Sequence, residues 1–132
     1  MIADDLFAGA GGWDLAAAQL GIHARGVENM KEARATRDAA GLTTIHDDVW
    51  TFGDWLDAGL RSDDPAYYKA ALQIASPPCQ TFSAAGKGSG RKALDDVLRG
   101  IRDGYVNDIE HLRFLGEEVG DPRTALVLTP LH

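Results

Sequence analysis

The apolar positions of this chain fall into short runs separated by stretches of helical period, an alternation that predicts βαβ units around a parallel sheet. A first strand is expected from Ile2 to Phe7, running into the glycine cluster Gly9-Ala10-Gly11-Gly12. A helix follows from about Trp13 to Leu20, with Leu15, Ala18 and either Ala16 or Gln19 on its inner face; Gly21 stands where a helix C-terminal glycine belongs. A second strand spans about Ala24 to Glu28, and a second helix Lys31 to Ala40, stopped by Gly41. Thr43 to His46 forms a short third strand leading into Asp47-Asp48. Phe52, Trp55, Leu56 and Leu60 keep the i, i+3, i+4, i+8 spacing of a buried helical stripe. Ser62 to Pro65 reads as a turn, and Ala70 to Ala75 as a buried fourth strand.

Beyond it, Ser76-Pro77-Pro78-Cys79 leads into a glycine-rich, basic stretch ending at Lys92. Ala93 to about Gly104 is helical in pattern, with Leu94, Val97, Leu98 and Ile101 as its apolar face. Ile109, Leu112 and Leu115 mark another helix, and Asp121-Pro122 opens a last one through Leu126 and Leu128. Only four strands are legible, where doubly wound sheets usually have five or more. The fold expected is α/β, an incomplete parallel sheet with flanking helices, belonging to the N-terminal part of a larger domain.

Composition narrows the function classes. At 132 residues, with 45% hydrophobic and 25% charged positions, the chain is long enough for one domain with a real core and has a soluble, globular profile. No run of eighteen apolar residues offers a membrane span, and Asp4 and Asp5 argue against a secretory leader, so a cytoplasmic location is expected. The single cysteine, Cys79, excludes an internal disulfide and a multi-thiolate metal site. The four histidines are scattered, and no metal is expected. A net charge of −7 repels nucleic acid over most of the surface, so any DNA-facing region must be small and locally basic or lie in another part of the protein.

Two constellations carry chemistry. In the first, the glycine cluster joins a strand end to a helix start, where glycines allow close backbone approach and the helix offers unpaired N–H groups. By itself such a cluster is equally a structural turn. Glu28, ending the second strand, is placed to accept hydrogen bonds from two ribose hydroxyls, and Asp48, after the third, from an adenine amino group. Counting from Gly9, the last glycine of a G-x-G-x-x-G fingerprint is replaced by Asp14, which disfavours a nicotinamide enzyme; no G-K-[ST] follows either. Three polar features at successive strand ends favour an adenosine cofactor lacking a pyrophosphate, such as S-adenosylmethionine. Trp13, directly after the loop, is a candidate cofactor contact, whereas Trp50 and Trp55 read as packing residues and Asp47 as solvated.

In the second, Pro77 and Pro78 hold the backbone extended into Cys79, at the carboxyl edge of the sheet where open α/β folds bind ligands. Gly86, Gly88 and Gly90 with Lys87, Arg91 and Lys92 then make a pliant cationic loop suited to phosphates.

Asp-Leu-Phe-Ala-Gly-Ala-Gly-Gly at 5–12 and Pro-Pro-Cys-Gln-Thr-Phe-Ser at 77–83 together resemble two signatures of the DNA cytosine-5 methyltransferases. Glu28 and Asp48 fall on that family's second and third cofactor positions, and Asp121-Pro122-Arg123 with Leu126 is similar to a further signature beside the cofactor. The resemblance implies a Rossmann-like S-adenosylmethionine-dependent methyltransferase fold. It also implies cofactor contacts from Asp5, Phe7, Ala8, Gly9, Gly11, Gly12, Glu28, Asn29, Met30, Asp48, Val49, Pro78 and Leu126. Contacts to double-stranded DNA would come from Gln80, Ser83, Lys87 and Arg91. Cys79, as thiolate, would add to carbon 6 of a flipped-out cytosine, so that carbon 5 takes the methyl group before the thiol is eliminated.

Two departures stand out. Asn29 and Met30 occupy positions where a bulkier residue commonly covers the adenine. No residue corresponds to the family's Glu-Asn-Val signature, arginine signature or target-recognition region. Loss of such a glutamate costs orders of magnitude in rate, by analogy with removal of other catalytic groups. The chain alone is therefore expected to methylate DNA poorly or not at all and to need a C-terminal part, either a C-terminal methyltransferase polypeptide or sequence lost by truncation, in restriction-modification or a related role. The alternative is a non-catalytic S-adenosylmethionine-binding or regulatory module of methyltransferase ancestry.

Overall fold

Four short segments rich in apolar and β-branched residues pair in parallel: β1 (Ile2–Leu6), β2 (His23–Val27), β3 (Thr43–His46) and β4 (Leu72–Ala75). The computed structural model describes residues 1–59, 69–80, 82 and 93–131, and orders these strands β3-β2-β1-β4. Helix α1 (Gly12–Gln19) links β1 to β2, α2 (Lys31–Ala39) links β2 to β3, and α3 (Val49–Gly59) follows β3. The chain steps in one direction from β1 to β3 and then reverses to reach β4. Right-handed crossovers therefore put α1 and α2 on one face of the sheet and α3 on the other. The packing agrees. Leu6 and Val27 meet Phe52 and Leu56 of α3, while Ala3 and Ala24 meet Ala17 of α1. The α/β architecture with an all-parallel sheet is as the sequence predicts.

Charge enters both layers. On the α3 side, Arg25 and Asp4 are opposite one another in the β1–β2 register and form a buried ion pair at 2.6 Å. Burial nonetheless raises the Asp4 carboxyl from its ordinary value, outweighing the Arg25 hydrogen bond and charge. On the other side, Arg37 of α2 and Asp14 of α1 make a second buried pair, also 2.6 Å at its shortest.

That second pair corrects the expected phase of α1. Leu15, Ala16, Ala18 and Gln19 are exposed, and the buried residues are Asp14 and Ala17. Alanines at 3, 17 and 24 bring the helix close to the sheet, and the Asp14–Arg37 contact fixes its rotation. Strand β4 is also less covered than expected: Leu72 and Gln73 are exposed, Ile74 and Ala75 half-buried. It lies at the end of the sheet among the described residues. The turn at 62–65 and Leu60 lie outside the described residues.

The chain divides into two compact units, Met1–Ser76 and Pro77–His132. In the second, α4 (Leu94–Arg102), a short 3-10 turn (Tyr105–Asn107), α5 (Ile109–Glu118) and a 3-10 run (Pro122–Leu131) pack around Leu112, Leu115, Ala125 and Leu128. Ile109, Leu112 and Leu115 are buried as their spacing predicts. Of the expected face of α4, only Val97 is buried. Leu94, Leu98 and Ile101 are 45–48% exposed, and the buried stripe is Ala93, Val97 and Gly100, one step round the helix. Gly100 explains the rotation, because a Cβ there would sit 2.8 Å from Leu115 Cδ2 and 3.3 Å from Leu128 Cδ1. A bare backbone admits close helix contact where leucine would not. The final segment is tightened into 3-10 turns in place of the expected helix.

Candidate functional site

Strand β1 ends in a turn whose backbone occupies the left-handed region three times: Phe7 at φ 61°, Gly9 at 55° and Gly11 at 99°. Glycine takes such angles at no steric cost; phenylalanine does not, and strain of this kind persists only where neighbours over-determine it. Here the Ala8 N–H donates to Val27 O and the Gly11 N–H to Ala8 O, fixing the chain on both sides. A side chain at Gly11 would collide with Leu42. Gly12 opens α1, so the helix N-terminus faces out of the turn.

Glu28 holds this turn from the end of β2. Its Oε2 accepts the Gly9 N–H and its Oε1 the Met30 N–H, both at 2.7 Å, and the residue is 6% exposed. One carboxylate thus ties the glycine turn to the segment after β2, while each oxygen keeps a lone pair for a ligand hydroxyl. Asn29 and Met30 are exposed beside it. Arg34 donates to the carbonyls of Glu28 and Asn29, holding their backbone in place. Asp48 caps α3 by accepting the Trp50 N–H at 2.9 Å, and Val49 begins that helix and packs on the α3-side core. Phe7 lies against the same cluster. Trp13 is 55% exposed and donates from Nε1 to Ser76 Oγ at 3.2 Å, bridging the start of α1 and the end of β4. Trp55 packs against the core as its spacing predicts, stacking on His46 and Phe52. Asp47 is exposed.

Of the predicted cofactor residues, the structure therefore gathers Phe7, Ala8, Gly9, Gly11, Gly12, Glu28, Asn29, Met30, Asp48 and Val49 at the carboxyl ends of β1 to β3. Asp5 is different. It has no exposed surface and lies beneath the turn. Its carboxyl is pushed from 3.8 up to about 7, first by burial, then by the neighbouring Asp14 carboxylate; Arg37 opposes this and Glu28 adds to it.

Sequence reasoning missed the group above it. Arg37 is completely buried, donating to both Asp14 oxygens at 2.6 and 2.9 Å, to Thr43 O at 2.8 Å and to Thr44 Oγ1 at 2.9 Å. Gly26 of β2 leaves room for its guanidinium. The signal was present: α2 has no large apolar residue, so its inward face had to be something else.

The second unit contains Pro78, Cys79, Gln80 and Leu126. Pro78 is half-buried, Gln80 exposed, and Cys79 an exposed free thiol whose carbonyl accepts the Phe82 N–H at 3.0 Å. Leu126 is half-buried in the 3-10 run. Asp121, just before that run, accepts from the Arg123 N–H, Nε and Nη2. Ser83, Lys87 and Arg91 lie outside the described residues, as do the loop glycines and Lys92. Among the described residues no three metal-ligating side chains cluster, and no helix is long and apolar enough to cross a membrane.

Comparison with known families decides the assignment. Residues 1–98, which include both the glycine turn and Cys79, match the family model of C-5 cytosine-specific DNA methylases. The chain belongs to that family. No curated protein and no solved structure matches it. Membership implies a Rossmann-like methyltransferase fold, in keeping with the four parallel strands and flanking helices. It also makes the carboxyl ends of the strands the place to look for a cofactor.

Proposed function

We propose that this chain is the cofactor-binding and nucleophile-bearing portion of a DNA cytosine-5 methyltransferase that uses S-adenosylmethionine and acts on double-stranded DNA. The observation carrying the reading is the Glu28 carboxylate bonded at once to the Gly9 and Met30 N–H groups, within a segment matched by the methylase family. This arrangement fits an adenosine cofactor. Glu28 would receive the ribose hydroxyls, the outward Met30 would cover the adenine, and Asp48 would accept from its amino group. Phe7, Ala8, Gly9, Gly11, Gly12, Asn29 and Val49 complete the proposed pocket, with Asp5 bracing the turn from below; Pro78 and Leu126 are proposed as cofactor contacts on the resemblance of their motifs alone. When bound, the cofactor supplies the methyl group as an electrophile.

Cys79 supplies the nucleophile. Its thiol is exposed, as attack on an extruded base requires, and only the thiolate form attacks. Gln80, Ser83, Lys87 and Arg91 are proposed to meet the DNA backbone and the extruded base. None of the 132 residues corresponds to the family's catalytic glutamate signature, and we propose that a C-terminal part, in the same protein or in a second polypeptide, supplies it, in the cytoplasm and in a restriction-modification setting.

Covalent trapping tests the proposal. With S-adenosylmethionine and a complementing C-terminal polypeptide present, DNA carrying 5-fluorocytosine should form a denaturation-resistant adduct that is lost in Cys79→Ser. A melting temperature raised by S-adenosylhomocysteine without any adduct would instead identify a cofactor-binding regulatory module. No response to either ligand would sink both readings.

A further inference from the structure

The Asp5, Asp14 and Arg37 cluster has an unbalanced charge. Both carboxyl oxygens of Asp5 are buried and accept from no N–H or O–H group, and Asp5 itself has no exposed surface. A buried carboxylate without a donor is costly, and the usual outcome is that the group takes up a proton. The groups facing it come from every neighbouring element. Asp14 lies above on α1, within hydrogen-bonding reach, and Arg37 comes from α2. Glu28 ends β2, and Gly26 and Ile74 flank Asp5 in the adjacent strands. Among the described residues facing Asp5 the cation is Arg37, and it is already directed at Asp14, through two bonds, with its remaining contacts to Thr43 and Thr44. Glu28, at 6% exposure, adds a further negative charge near the same turn.

We propose that Asp5 is a neutral carboxylic acid that donates its proton to Asp14, making a proton-dependent brace, Asp5–Asp14–Arg37, that locks the glycine turn and α1 onto the β2–α2–β3 layer. The proton satisfies one orphaned oxygen of Asp5 and leaves Asp14 paired with Arg37. Removing it sets two carboxylates against one guanidinium in a water-free space, at the root of the turn that Glu28 holds from above. The brace does not depend on which ligand the turn receives.

The pH dependence has a definite sign. Asp5 titrates at about 7 in the folded chain against an ordinary 3.8, so the native state holds this proton more tightly than the unfolded chain. Asp5 therefore weakens folding progressively as pH rises from about 4 towards 7, and the loss levels off above 7. A shift of this size corresponds to a folding equilibrium constant up to roughly a thousandfold lower at high pH, before relaxation of the site reduces it.

Equilibrium unfolding of the parent chain and of Asp5→Asn at about pH 5 and about pH 8 tests the brace without any ligand. The amide is isosteric, uncharged and able to donate to Asp14. The advantage of Asp5→Asn over the parent should grow at least tenfold in folding constant between pH 5 and pH 8. An advantage that stays constant or shrinks over that interval would overturn the proposal, since Asp5 would then be charged throughout it. A carbon-13 titration of the parent's aspartate carboxyls gives an independent reading should the variant not fold. One buried aspartate resonance should titrate near neutral pH, whereas all aspartates ionising below about pH 5 would refute the brace.

Discussion

Gly26 is the residue on which the layer beneath the glycine turn most directly depends. It is the penultimate residue of β2, and glycine within a strand normally weakens it by ~0.5–1 kcal/mol relative to alanine. On propensity alone, Gly26→Ala should stabilise the chain. The structure predicts the reverse, because a Cβ at this position would collide with the guanidinium of Arg37 and lie 2.9 Å from Ala8 Cβ. Arg37 is fully buried and anchored at Asp14, Thr43 and Thr44, so it cannot swing aside as an exposed arginine would. Accommodating the methyl group means breaking a buried ion pair, at a cost of ~3–5 kcal/mol. Offset by the propensity gain, the net loss is about 3 kcal/mol, which for a unit of this size lowers the melting temperature by more than ~10 °C.

A thermodynamic cycle separates this cause from generic crowding. Unfolding is followed by circular dichroism for the parent, Gly26→Ala, Arg37→Met and the double variant. If Arg37 is the obstacle, Gly26→Ala should cost little once Arg37 is already methionine, a coupling of at least ~1.5 kcal/mol, half the net loss estimated from the buried pair. Additive effects would refute the reasoning, and so would a Gly26→Ala chain as stable as the parent.

The remaining predictions probe other links. Arg25→Met should cost ~3–5 kcal/mol by stranding Asp4, while Asp4→Leu with Arg25→Met should recover most of it, as urea denaturation would show. Leu115→Ala, at a fully buried position, should cost ~2–5 kcal/mol, whereas Leu98→Ala should change stability by less than ~0.5 kcal/mol; comparable losses would contradict the observed rotation of α4. Under the proposed function, Glu28→Gln should weaken S-adenosylhomocysteine binding at least tenfold, or ~1.4 kcal/mol, by titration calorimetry, because the amide can no longer accept at both the Gly9 and Met30 N–H groups.

How far the fold is legible in the sequence depends on what sets each helix's rotation. Strands β1, β2 and β3 follow from apolar runs punctuated by Gly21 and Gly41, both in the left-handed region that ends a helix. Helix α5 follows because Ile109, Leu112 and Leu115 are its core. Helices α1 and α4 escape the same logic. In each, the closest contact is made by a small residue, Ala17 or Gly100, and hydrophobic periodicity weights small residues least. The leucines it favours, Leu15, Leu94 and Leu98, end up facing outward.

The candidate site divides along the same line. Glu28 and the glycines are readable because their roles are local: a strand end, a positive φ, a helix start. The two bonds from Glu28 back to Gly9 and on to Met30 make one side chain organise both halves of the proposed pocket, and motif spacing alone does not contain that. Arg37, Asp14 and Gly26 are unreadable one at a time, since each breaks a local rule: a charge on an inward helix face, or glycine within a strand. They become intelligible together, because Gly26 makes the space, Arg37 fills it, and Asp14 neutralises the charge. Asp5 is the member left over. Its lack of a donor goes with Arg37 being directed at Asp14, Thr43 and Thr44, which is why the protonation state of one buried acid reports on the whole layer under the turn.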